Sequence, residues 1–217
     1  MKSVLISIRP KWVEKIASGK KAIEVRKTAP KEVPFKAYIY ATRPKKYYKC
    51  GAVCTSDELL WLSNGKVEMG DGFKFWADGD EYQCLNGRII GEFICNEVEE
   101  FHEWELSPQG KFADFERERL ENFLTAACLS EEEVVRYREN LPYFKPLYGW
   151  HISDVKIYDK PKELSEFYRP CSYSGICYSC ERFRPNGTPN DKPNDFCDGT
   201  IPRPPQSYMR VKELKEV

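Results

Sequence analysis

The sequence predicts a single α+β domain, on three observations. Short β-rich segments bounded by Gly and Pro recur at both ends of the chain, helical periodicity is confined to one central block, and a last β-rich segment, Ser207-Tyr-Met-Arg-Val-Lys-Glu213, can return to the first sheet. At 217 residues the chain suits one decorated domain spanning 1–217 on a prior of about 150 residues per domain. Its 41% hydrophobic and 31% charged residues exclude disorder and fibrous repeats.

Ser3-Val-Leu-Ile-Ser-Ile8 reads as a strand, and Pro10 suits the first position of a helix whose apolar face carries Trp12, Val13, Ile16 and Ala17. Ser18-Gly19 supplies its stop. Lys21 to Lys27 reads as a strand with Ile23 and Val25 on one face and Glu24 and Arg26 on the other. Ala37 to Thr42 is the next strand, followed by a basic, aromatic loop from Arg43 to Lys49. Arg88 to Cys95 is another, in which Gly91 marks a bulge or a close backbone approach. Residues 101–146 form a helical insertion, with Ser130-Glu-Glu-Glu133 as a helix cap and first turn. Leu147 to Tyr158 returns to the β pattern, and Pro161 is expected to begin a helical turn ending near Phe167.

No positively charged start leads into an apolar stretch, and no run approaches the roughly 18 apolar residues of a membrane span. The expectation is a cytoplasmic protein without a membrane partner. Formal charge totals zero, but residues 1–50 hold 14 Lys or Arg against 3 Glu, giving +11, whereas residues 51–133 hold 6 against 20, giving −14. Attraction for phosphate should therefore come from the N-terminal segment, unless these charges are simply solvated faces.

Lys21, Glu24 and Arg26 follow a Gly turn and combine a compact cation, a carboxylate acceptor and a planar donor fork. That set suits recognition of a phosphate together with an exocyclic amine, and burial would let Glu24 act as a general base; the plainer reading is a salt-bridged strand surface. Arg9 adds charge, Tyr47 and Tyr48 can stack on bases, and Trp150 and His151 can line the same cleft.

The spacing Gly19-x-Lys21-x-x-Glu24-x-Arg26 resembles the signature of the ASCH domain family. Ser7-Ile-Arg-Pro10, Tyr38-Ile-Tyr-Ala-Thr42, Gly91-Glu-Phe93 and Trp150-His-Ile-Ser-Asp154 are similar to successive blocks of the same family, so the resemblance covers most of the chain. It implies a PUA-like β-barrel with flanking helices and a role in binding RNA or a modified nucleotide. The candidate ligand-binding residues are Arg9, Lys21, Glu24, Arg26, Thr42, Tyr47, Trp150 and His151. Some small bacterial members deacylate acetylated cytidine with a Thr nucleophile at the place of Glu24, and others are ribonucleases. A Glu lacks that hydroxyl, so any hydrolase here would use Lys21 and Glu24 as catalytic residues by another route.

Four of nine cysteines fall within a Pro- and Gly-rich loop at 170–205, as Cys171-x5-Cys177-x2-Cys180-x16-Cys197. A loop this poor in apolar residues cannot build its own core, and four thiolates would fill the tetrahedron of a structural zinc, with a labile disulfide or free thiols as alternatives. Three functions remain open on sequence: an RNA- or nucleotide-binding module, a hydrolase acting on RNA or an acylated nucleoside, and an adaptor whose acidic helical insertion captures a protein partner.

Overall fold

A computed structural model describes residues 1–43, 48–50, 53–55, 59–63, 65–70, 83–106, 113–170 and 201–214. The chain runs β1 (Lys2–Ile8), α1 (Pro10–Ala17), β2 (Ile23–Arg26), β3 (Phe35–Ala41), β4 (Tyr48–Cys50), β5 (Val53–Thr55), β6 (Leu60–Ser63), β7 (Lys66–Met69), β8 (Gln83–Cys84), β9 (Ile89–Cys95) and β10 (Val98–Phe101). After a 3-10 turn at Glu103–Leu106 come α2 (Ala113–Ala127), α3 (Glu131–Arg138), β11 (Leu147–His151) and β12 (Ser153–Lys162). A second 3-10 turn, Leu164–Glu166, and β13 (Tyr208–Val211) complete the order. The architecture is α+β. No described helix is long and apolar enough to cross a membrane.

Local sequence explains most boundaries. Pro10 opens α1, Val13 and Ile16 are buried on its inner face, and Gly19 ends it with φ of +74°, a backbone shape that costs glycine little. At α3 the Ser130 hydroxyl accepts from the Glu133 N–H while the Glu133 carboxylate accepts from the Ser130 N–H, the reciprocal cap expected there. Pro161, by contrast, lies inside β12, and the following turn starts at Leu164, where the Glu163 N–H donates to the Glu166 carboxylate at 2.6 Å. A proline tolerates an irregular strand, and β12 shifts register against β9 between Ile157 and Lys162.

Five strands form one mixed sheet in the order β12-β9-β3-β1-β13, and β10-β11-β2 form a second. The two share a corner: β9 leads into β10 and β11 into β12, and the His151 N–H donates to the Glu97 carbonyl where the ladder bends. The resemblance implies a closed barrel, but among the described residues the backbone ladder stays open between β2 and the β1/β13 side. β1 already has both edges filled, by parallel β3 and antiparallel β13, so β2 finds no backbone partner there. Side chains span the gap instead. The Arg26 Nη2 donates to the Ser7 carbonyl at 2.6 Å, and the Trp150 and Tyr208 rings meet edge-on at 5.1 Å.

Three apolar clusters result. Val4, Ile6 and Ile8 point inside the curl with Phe35, Phe93 and Trp150, while Leu5 packs on the outer face with Tyr38, Phe167 and Ile201. Ile23 and Val25 meet Phe123, Ala127 and Val134 of α2 and α3 on the far side of the second sheet. Close backbone approach, one of the two expectations for Gly91, is met: a Cβ there would sit 2.4 Å from the Lys156 carbonyl oxygen of β12. Gly91→Ala should therefore destabilise the fold by about 1–3 kcal/mol, because the obstacle is backbone and not a yielding side chain. A urea midpoint equal to wild type would show that β12 moves freely.

Candidate functional site

Alternation along β2 fixes the site. Ile23 and Val25 face α2, so Glu24 and Arg26 face inward, on the same side as Trp150, the cross-strand partner of Glu24. The turn at Gly19 brings Lys21 to the same place. All three charged groups are buried, at 3%, 5% and 7% exposure for Lys21, Glu24 and Arg26, so the salt-bridged surface is not what forms.

The Glu24 carboxylate lies between two cations. Its Oε1 is 3.0 Å from the Arg26 Nε and its Oε2 is 3.6 Å from the Lys21 Nζ. Each cation also finds a carbonyl: Lys21 donates to Ala127 at the end of α2, at 2.5 Å, and Arg26 to Ser7 of β1. The negative end of α2 favours an ammonium at that position. The Lys21 ammonium stands 4.9 Å from the centre of the Trp12 ring. Two cations and one anion leave a buried excess of one positive charge. Desolvation pulls the Lys21 pKa below its ordinary value, with Glu24 the main opposing influence. The indole N–H of fully buried Trp150 has no hydrogen-bond partner among the described residues.

Other candidates divide. Arg9 is exposed just before Pro10, its carbonyl accepting from the Trp12 and Val13 N–H groups. Thr42 follows β3 and is half-buried; its N–H donates to the Ile8 carbonyl, placing it one residue from Arg9 in the ladder, and its own carbonyl accepts from Asn86. His151 is not with them. Next to Trp150 on a strand, it faces the opposite side, where its Nε2 is 3.2 Å from the Glu99 Oε1 at the rim of a groove of about 470 Å³ between α2 and the second sheet. Ile23, Arg119 and Asn122 also line that groove. Tyr47 and Cys171, Cys177, Cys180 and Cys197 lie outside the described residues, and no cluster able to hold a metal occurs among the described ones.

Tyr137 was not singled out on sequence. Its hydroxyl is bonded to the Lys27 backbone and, although the residue as a whole is 38% exposed, local desolvation pushes its pKa up against the influence of Arg26 and Arg9. The signal was present in the basic and aromatic alternation Arg136-Tyr137-Arg138 at the end of α3.

No family model matches the chain, and no curated protein matches it. Among solved structures it is similar to ASCH from Zymomonas mobilis, at 17% identity and a TM-score of 0.47, with 98% of this chain and 89% of that one covered. A mutant of the same protein aligns at 16% identity and a TM-score of 0.47, covering 98% and 92%. The N-terminal domain of Staphylothermus marinus McrB aligns at 10% identity and 0.35, covering 74% and 76%. The Zymomonas structures carry the family name that the sequence blocks resemble.

Glu24→Gln leaves two buried cations without their shared counter-charge. It should cost about 3–5 kcal/mol in urea unfolding, the range for breaking a buried ion pair from one side. A loss below about 1 kcal/mol would mean the cluster is wetter than its burial implies.

Proposed function

We propose that the chain binds a nucleotide or a short single-stranded RNA segment, with Lys21, Glu24 and Arg26 as the recognition cluster and Arg9 at its exposed edge. The observation that carries this reading is the uncompensated positive charge of a buried, preorganised cluster. An anionic ligand would neutralise it, and Glu24 can accept from an exocyclic amine while the cations hold phosphate. Trp150 adds an unused N–H on the same face. Thr42 and Tyr47 complete the reading as ligand contacts, the former through its position beside Ile8.

A hydrolytic role is the second reading, favoured by one observation: desolvation lowers the Lys21 pKa, which enlarges the fraction of neutral amine able to accept a proton. Acetylcytidine separates the two, since a binding module retains it intact and a hydrolase releases acetate in a reaction that Lys21→Ala abolishes.

Cytidine monophosphate and hexauridylate are the probes for binding. With about three phosphate contacts, affinity for the single strand should fall roughly 20-fold between about 50 and 200 mM salt, and Arg9→Ala should weaken it without unfolding the chain. Absence of detectable binding by either probe at the lower salt removes the proposal. We also propose that Cys171, Cys177, Cys180 and Cys197 hold a structural zinc, on the composition and spacing of their loop. Native mass spectrometry should give one zinc per chain, lost in Cys177→Ser; a metal-free mass with all thiols free would exclude it.

A further inference from the structure

The turn after α3 presents Tyr143 and Phe144 to solvent, at 64% and 72% exposure. Large aromatic rings left this open on a folded domain mark a contact surface more often than a packing failure, provided the backbone beneath them is held. Here it is held. Arg138, 6% exposed, donates from Nη1 to the Lys145 carbonyl at 2.7 Å and from Nη2 to the Tyr143 and Pro142 carbonyls at 2.8 and 3.3 Å. The Lys145 N–H closes the turn on the Pro142 carbonyl at 2.9 Å. A buried guanidinium inside three carbonyls fixes the loop before any partner arrives, which removes much of the ordering cost of binding.

Two lysines adjoin the turn. Lys145 is exposed, and Lys27 donates to the Glu139 carbonyl at the end of α3 with its ammonium 5.1 Å from the centre of the Tyr137 ring; Arg136 lies instead beside Glu131, Glu132 and Glu139 along another groove. The Tyr137 hydroxyl is bonded to the Lys27 backbone and lies within the field of Arg26, Glu24 and Arg9. Recognition cluster, Tyr137 and Lys27 thus adjoin one another, and Lys27 reaches the carbonyl of Glu139, in the same turn of chain that leads to Tyr143. Alternating cations and open aromatic faces are what a single-stranded polynucleotide uses, its phosphates taken by the cations and its bases by the rings.

We propose that Tyr143 and Phe144 form a stacking platform for unpaired bases, which extends the site at Glu24 from one nucleotide to a short run of single-stranded RNA. This rests on the nucleotide-binding reading above. Glu131 and Glu132, at the opposite end of α3, disfavour an RNA path along the whole helix and confine the track to its C-terminal end.

The test compares uridine monophosphate with hexauridylate on the full chain, wild type against the double variant Tyr143→Ala, Phe144→Ala, and against Tyr143→Leu, Phe144→Leu. Both positions are exposed, so the variants should melt like wild type. The expected result is unchanged monophosphate affinity with hexauridylate affinity lowered tenfold or more in both variants, because leucine keeps apolar area but has no π face. Hexauridylate bound as tightly by the alanine variant as by wild type overturns the platform while leaving the nucleotide site standing. Full affinity in the leucine variant overturns it too, because a π face is then not what the strand uses. Failure of wild type to bind hexauridylate removes the platform, and failure to bind cytidine monophosphate as well removes the nucleotide-binding reading.

Discussion

One buried carboxylate organises the centre of this molecule. Glu24 holds the Lys21 ammonium, which reaches the last carbonyls of α2, and the Arg26 guanidinium, which reaches β1 across the unpaired edge of the curl. Helical layer, short strand and main sheet are thereby joined through a single acceptor. Burying three ions is expensive, and their mutual attraction repays the lost hydration only where remaining donors are satisfied; the two carbonyls do this in part, while the Arg26 Nε, 3.0 Å from Glu24, is outside hydrogen-bond geometry. Apolar residues of similar volume would hold the same elements at no greater cost. Stability alone therefore does not account for an ionic clasp with a net charge.

Much of this arrangement is legible in the sequence because it follows from period and stereochemistry. A two-residue alternation sorts Ile23 and Val25 from Glu24 and Arg26, Gly19 marks the reversal that delivers Lys21, and Ser130 with Glu133 announces a helix start. The same alternation bears on Trp150 and His151. Adjacent strand residues cannot share a face, so placing both in one cleft was an error the sequence already contained the means to avoid.

Other features are not local. Periodicity says that Glu24 and Arg26 share a face but not whether that face is covered; cover comes from Ser7 of β1, Trp12 of α1 and the Ala127 carbonyl at the end of α2, the last 106 residues from Lys21. An open ladder between β1 and β2 depends on β13 having taken the free edge of β1, a competition between segments some 180 residues apart. Pro161 misled for a related reason. A proline suits a helix start, but an irregular strand pairing with β9 tolerates it equally, and only the partner strand decides.

The segregated charge of the chain is recombined by folding only in part. Lys11 of α1 meets Glu133 of α3 at 3.0 Å, Lys36 meets Glu92 and Glu213, Lys2 meets Glu32, and Lys21 and Arg26 share Glu24. An N-terminal excess of +11 therefore overstates the field that a polyanion would feel only modestly, since Glu24 and Glu32 are already counted in it and only Lys11 and Lys36 meet carboxylates from outside the segment. What remains near the cluster is local: Arg9 in the open, Lys15 and Lys27 close by, and the single uncompensated charge behind them. Such a field suits a few phosphates held at short range, where geometry discriminates, better than a long duplex gathered by bulk attraction. The charge that matters for recognition is then the one folding leaves unpaired, and a sum along the sequence cannot report it.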